Sequence, residues 1–169
     1  MNSKQIFAAI SAMILLVMVF YPPLASGSLS ISLKSATIAD ADHVYMTIDD
    51  IWGHRQGQSQ SQGWELLFNT TTTIDLVSIA TSPRFLKGSV PIAIYDSIRV
   101  DVSNVTWAYN GTSSNLQLES RQLTASIHFA VKSSQDLPLI VVVSARSETL
   151  QGQKYFTATL NATIPVNES

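Results

Sequence analysis

Leu123-Thr124-Ala125-Ser126-Ile127-His128-Phe129-Ala130-Val131 is the longest clean alternation in the chain. Leu123, Ala125, Ile127, Phe129 and Val131 fall on one side of an extended backbone and the intervening residues on the other, because successive strand side chains point to opposite faces. One face of this segment therefore meets a core and the other meets water. His128 then lies beside Ser126 on the wet face and is read as a surface histidine.

The same period runs outward in both directions. Leu29, Ile31 and Leu33 alternate with Ser30, Ser32 and Lys34, and Val44, Met46 and Ile48 follow suit before the phase slips at Asp49-Asp50 to Ile51. A slip of one residue predicts a β-bulge. Ile98, Val100 and Val102 continue, past a second slip at Ser103-Asn104, as Val105, Trp107 and Tyr109. Asn110-Gly111 suits the positive-φ positions of a tight hairpin turn, and Leu116 and Leu118 begin a return strand. Trp64–Phe68 predicts a strand, and Thr73–Ile79 fits either a strand end or a short helix. Pro138–Val143 is continuously apolar and predicts a strand covered on both sides. Phe156, Ala158, Leu160, Ala162 and Ile164 form the last strand, which sets Thr157, Thr159, Asn161 and Thr163 on a wet face. Residues 55–63 are polar and rich in Gln, Ser and Gly, and predict an exposed loop. No stretch after residue 27 keeps a helical period. The expected fold is all-β: a β-sandwich of about seven to eight strands, spanning residues 28–169 as one domain.

Ahead of that domain, Lys4 precedes Ile6–Phe20, apolar apart from Ser11, then Tyr21-Pro22-Pro23 and the small residues Ala25 and Gly27. A positive start, a fifteen-residue apolar run and small residues at the −3 and −1 positions read as an export signal over residues 1–27, cleaved near Gly27. A spanning helix needs about 20 apolar residues; left uncleaved, residues 6–24 form an anchor. The expected location is extracellular or at the cell surface, with the membrane touched only through that segment.

Composition narrows the chemistry. The 169 residues include no cysteine, which excludes disulfides, thiolate metal sites and thiol nucleophiles. Charged residues make up 13% and the net charge is −2, with no basic patch, so nucleic acid is not an expected partner. The histidines, His43, His54 and His128, lack metal-ligand spacing, and nothing near them resembles a nucleophile motif. Asp40, Asp42, Asp49 and Asp50 read as solvated strand ends and a bulge, although oxygen ligands for Ca²⁺ remain open at this stage. Trp52 and Trp64 flank the polar loop, and Trp107 shares a strand face with Tyr109; core packing is the ordinary use of such rings, and a sugar-stacking platform is the alternative. No cofactor and no catalytic residue is expected.

Of six asparagines after residue 27, five open an Asn-x-Ser/Thr acceptor: Asn69, Asn104, Asn110, Asn161 and Asn167. Composition by itself supplies about one or two such motifs. Many acceptors without cysteine fit an archaeal surface glycoprotein better than an animal secreted one.

The block Val44-Tyr45-Met46-Thr47-Ile48-Asp49-Asp50-Ile51, then His54-Arg55, a polar loop, Gly63-Trp64-Glu65-Leu66-Leu67 and Thr73-Ile74-Asp75-Leu76, resembles the DUF4382 family. Ser97-Ile98-Arg99-Val100-Asp101-Val102-Ser103-Asn104-Val105 is similar to its central strand. The resemblance covers most of residues 29–164, and the order of these short motifs carries it. It implies an exported bacterial or archaeal domain of unassigned function with an immunoglobulin-like or transthyretin-like sandwich, and it brings no catalytic residues. Ile38-Ala39-Asp40-Ala41-Asp42 and Val90-Pro91-Ile92-Ala93 stand where the family tends to carry Asp-Ala-Pro and Pro-Ala-Gly turns.

The expected function is non-enzymatic: a structural or interaction protein, as an envelope or filament subunit that self-assembles by edge-strand addition through Ser28–Lys34. The alternative is a monomeric surface domain that binds a glycan or another ligand. Whether Leu29–Leu33 packs in its own sandwich or projects free separates the two.

Overall fold

The structure, a computed structural model, describes residues 26–165. The expected signal or anchor lies outside these residues, apart from Ser26 and Gly27. Strand β1 (Ser26–Ser35) already begins at Ser26, two residues ahead of the expected start of the domain. It is followed by β2 (His43–Arg55), β3 (Trp64–Asp75), a single helical turn α1 (Leu76–Ile79), β4 (Arg84–Pro91) and β5 (Ile94–Tyr109). The chain continues through β6 (Thr112–Asn115), β7 (Gln117–Leu118), β8 (Gln122–Ala130), β9 (Asp136–Leu150) and β10 (Gln153–Thr163).

Two sheets face one core. The first has the order β4-β1-β9-β10-β7; the second has β3-β2-β5-β6, with β8 also paired to β5. Strand β5 pairs with β2 along one side, and on the other with β8 from Ile94 to Asp101 and then β6 from Thr106 to Tyr109. Most neighbours are antiparallel, but β1 runs parallel to β9 and β10 parallel to β7. The inward sets are those that alternation marks: Leu29, Ile31 and Leu33 are wholly buried, as are Val44, Met46 and Ile48.

Both phase slips are bulges. The β2–β5 register steps from Thr47↔Asn104 to Ile48↔Val102 and then to Asp50↔Asp101, leaving Ser103 and Asp49 as the extra residues. The two lie side by side, and the Ser103 hydroxyl donates to Asp49 Oδ1 at 3.0 Å. Asn110 and Gly111 carry φ of 50° and 73°, as a two-residue hairpin turn requires. The last strand has the expected faces as far as Thr163, with Phe156 and Ala162 buried and Thr159, Asn161 and Thr163 exposed. Ile164, expected on the inward face, lies past the end of β10, where no strand among the described residues covers it, and is exposed.

Three readings need correction. The described residues hold ten strands rather than seven or eight. Strand β4 escapes periodicity because Gly88, on its inward side, has no side chain: a Cβ there falls 2.9 Å from Cε1 of Phe68, whose ring fills the place. The return strand after Asn110-Gly111 is also broken at buried Leu116 into β6 and β7, which join different sheets. Pro138–Val143, expected to be covered on both sides, has one core face only; Leu139, Val141 and Val143 are buried, whereas Pro138 is exposed and Ile140 and Val142 are half-buried on the outer face. The open reading of Thr73–Ile79 divides between its alternatives, as strand to Asp75 and helix from Leu76. Asp75 makes this corner. Its carboxylate caps the turn by accepting from Val77 N (3.2 Å) and Ser78 Oγ (2.7 Å), and it accepts from Val44 N (3.1 Å) and pairs with His43 Nδ1 (2.8 Å). Burial pushes this carboxyl up, but the hydrogen bonds together outweigh it and hold it below the usual range.

Candidate functional site

The densest polar cluster forms where β2 hands over to β3. His54, the penultimate residue of β2, pairs with Ser97 of β5 and with Trp64 of β3, and its side chain is 1% exposed. Nδ1 lies 2.7 Å from Asp96 Oδ1, and Nε2 lies 3.1 Å from both Ser59 O and Gln62 O. A carboxylate and two backbone carbonyls only accept, so all these contacts are hydrogen bonds only when both ring nitrogens carry protons. The Ser59 carbonyl, then Asp96 and the Gln62 carbonyl, raise the His54 pKa against the opposing effect of burial. With both nitrogens protonated, the imidazole bridges Asp96 of β5 to the loop carbonyls of Ser59 and Gln62. Sequence reading places His54 at a strand end beside the polar loop, with no nucleophile motif nearby; it misses the backbone acceptors and Asp96.

What His54 fastens is the loop over residues 56–63. Trp64 Nε1 donates to Gln60 O at 3.1 Å, so Ser59, Gln60 and Gln62 all point their carbonyls at ring N–H groups. Gln56 through Gln62 are exposed, and none of them is charged. Gly63, at φ 91°, closes the loop where a Cβ falls 2.4 Å from Cβ of Gln58. That backbone conformation and that close approach both require glycine.

Two further layers brace the loop. Arg55 makes a two-pronged pair with Glu65, Nε–Oε2 and NH2–Oε1 both at 2.8 Å, and that bond foremost holds the Glu65 carboxyl below its usual range. The Tyr95 hydroxyl lies 2.9 Å from Glu65 Oε2 and 3.0 Å from Pro91 O; burial first, and then Glu65, push its phenol well up. On the outer face of the second sheet, the Arg99 guanidinium lies 5.2 Å from the Trp52 ring and 4.6 Å from the Trp64 ring. Asp101 takes the Trp52 indole N–H at 2.9 Å and lies 3.0 Å from Arg99 Nε, a contact without hydrogen-bond alignment. The two tryptophans thus hold a cation between them. Trp107 is a core residue, 6% exposed, donating to Asp40 O at 3.0 Å, while Tyr109 beyond it is half exposed.

The other sequence-marked residues scatter. His43 is tied to Asp75, and His128 is exposed on the face of β8 beside Ser126, as the alternation requires. Asp42 accepts from Asn110 N and Asp49 from Ser103, so the four aspartates do not converge. Among the described residues no three His, Asp or Glu side chains come close enough to hold a metal ion. A second polar knot, on the first sheet, has Asp136 accepting from Ser28, Ser30 and Lys87 at 2.7–2.9 Å, all solvent-facing. Asn69, Asn104, Asn110 and Asn161 are exposed; Asn167 lies outside the described residues.

No curated protein and no solved structure matches the chain. One family model matches residues 26–157, from the first residue of β1 into β10, and carries the description "Domain of unknown function (DUF4382)". That span takes in both sheets and every residue of the loop cluster, and the chain belongs to the DUF4382 family.

Proposed function

We propose that this chain is a non-catalytic interaction domain of the cell exterior, and that the loop over residues 56–63 is its recognition element. The observation that carries the reading is the loop itself: four glutamines and two serines, uncharged and exposed, on a backbone held by three ring N–H contacts. Loops on a rigid scaffold are where sandwich domains place recognition, and prior ordering lowers the entropic cost of binding. A neutral surface of amides and hydroxyls beside Trp64 fits a ligand rich in hydroxyl groups, which favours a surface glycan over a charged partner.

The self-assembly reading loses its named donor. Ser28–Lys34 is paired on both sides within its own sheet, to β4 and to β9, and Leu29–Leu33 fills its own core. The immunoglobulin-like or transthyretin-like label belongs to the same proposal, supported by two mainly antiparallel sheets over one core. So does export, which rests on the sequence of residues 1–27.

The test is binding of the folded domain to a panel of neutral and acidic oligosaccharides, beside a Gln58→Ala/Gln60→Ala/Gln62→Ala variant. These changes leave the backbone carbonyls in place. At least a tenfold loss of affinity, about 1.4 kcal/mol, is expected for a neutral glycan. Equal binding by both proteins, or no binding at millimolar glycan, removes the loop from this role.

Glycosylation forms a separate part of the proposal. Asn69, Asn104, Asn110 and Asn161 are exposed, and the Asn69 side chain stands on β3, an edge strand where added sugar hinders pairing with another chain. Peptide mass spectrometry of protein from its native host is expected to find glycan on these four residues. Finding all four bare rejects it.

A further inference from the structure

We infer that His54 is a proton-dependent latch: as an imidazolium it ties the 56–63 loop to β5, and on losing its proton it lets the loop go. The geometry carries this. Asp96 Oδ1 faces one nitrogen and two loop carbonyls face the other. Removing one proton leaves a ring lone pair aimed at an oxygen lone pair. Asp96 keeps its proton donor in that event, because a carboxylate is the stronger acceptor. The loop side is then the one that opens.

Few other groups compete for the role. From β2 the neighbouring charge is Arg55, from β3 Glu65, and from β5 Asp96, with the Tyr95 hydroxyl beside Glu65. Arg55 and Glu65 neutralise each other in their two-pronged pair, and the loop contributes no ionisable side chain. Asp96 is therefore the charge that His54 answers to. The direction of the effect follows from linkage. The His54 pKa is raised above its ordinary value of about 6.5, so the latch is fully closed below that value and opens as pH climbs through the raised one. The inference stands whether or not the loop binds a glycan.

Imidazole and indole NMR of the full folded domain from pH 5 to 9 tests it. The Trp107 indole N–H, in the core away from the loop, serves as the reference for that of Trp64, which contacts the loop. Both His54 nitrogens are expected to carry protons at pH 6. The Trp64 indole resonance, and the hydrogen exchange of Gln58 and Gln62 amides corrected for intrinsic chemistry, should move with the His54 titration. Between the ordinary value of about 6.5 and the raised one, the ratio of closed to open loop is expected to fall by up to about tenfold per pH unit, and to level off above it. Asp96→Asn should shift the His54 titration and the loop transition to lower pH together. A singly protonated His54 at pH 6, or a loop indifferent to its titration, overturns the latch; the wild-type measurement decides even if the variant fails to fold.

Discussion

Ile31→Ala is expected to lower the unfolding free energy by about 2–5 kcal/mol, read from the denaturant midpoint at unchanged slope. Ile31 is wholly buried in the middle of β1, opposite Leu86 on β4 and Leu139 on β9. Removing its outer methylenes leaves a void that close-packed sheets cannot collapse to fill. Ile31→Asp places a carboxylate at the same point and is expected to give no folded monomer, since an unpaired buried charge costs more than the core can supply. The pair also bears on assembly. A protein whose β1 belonged in a neighbour would stay folded as a monomer in both variants and lose only its ability to polymerise. That outcome would return Ser28–Lys34 to the role of donor strand and contradict its place between β4 and β9.

Tyr95→Ala is expected to cost a similar amount, about 3–5 kcal/mol, and Tyr95→Phe about 1–3 kcal/mol. The Tyr95 side chain is fully buried, its ring 5.0 Å from that of Phe129 at an interplanar angle of 22°. Gly53 makes room for it: a Cβ there falls 2.7 Å from Cδ1 of Tyr95. The two variants separate ring packing from the hydroxyl, which lies within hydrogen-bond distance of the Glu65 carboxylate and of Pro91 O. Phenylalanine keeps the packing and strands those acceptors; alanine loses both. Equal losses in the two variants would show that the hydroxyl contact, and not the ring, holds this corner together.

Much of the loop cluster was within reach of the sequence but required one step that periodicity does not take. The slips at Asp49-Asp50 and Ser103-Asn104 were both visible, and setting the two bulges against each other fixes the β2–β5 register. Counting along that register from Asp50↔Asp101 reaches His54 opposite Ser97, beside Asp96. The partners on the other side of the ring leave no such trace. Ser59 and Gln62 contribute backbone carbonyls, and any residue offers one of those. The Trp52–Arg99–Trp64 stack is hidden for a related reason, since its members come from three strands, and the two tryptophans taken singly read as core rings, whereas both are half-buried on the outer face.

The all-β class, the inward sets of β1, β2, β5 and β8, that of β10 as far as Ala162, both bulges, the Asn110-Gly111 turn and the family are legible in local sequence. All of these depend on neighbours within a few residues, where the two-residue repeat of an extended chain and the φ > 0 tolerance of Asn and Gly act directly. Long-range packing set β1 parallel to β9 between two partners, β4 at the edge of that sheet, and His54 against two loop carbonyls. Those outcomes depend on which distant surfaces fill each other's space: Phe68 over Gly88, Tyr95 over Gly53, and two loop carbonyls over one imidazole. Complementarity of that kind belongs to pairs of segments, and no single segment records it.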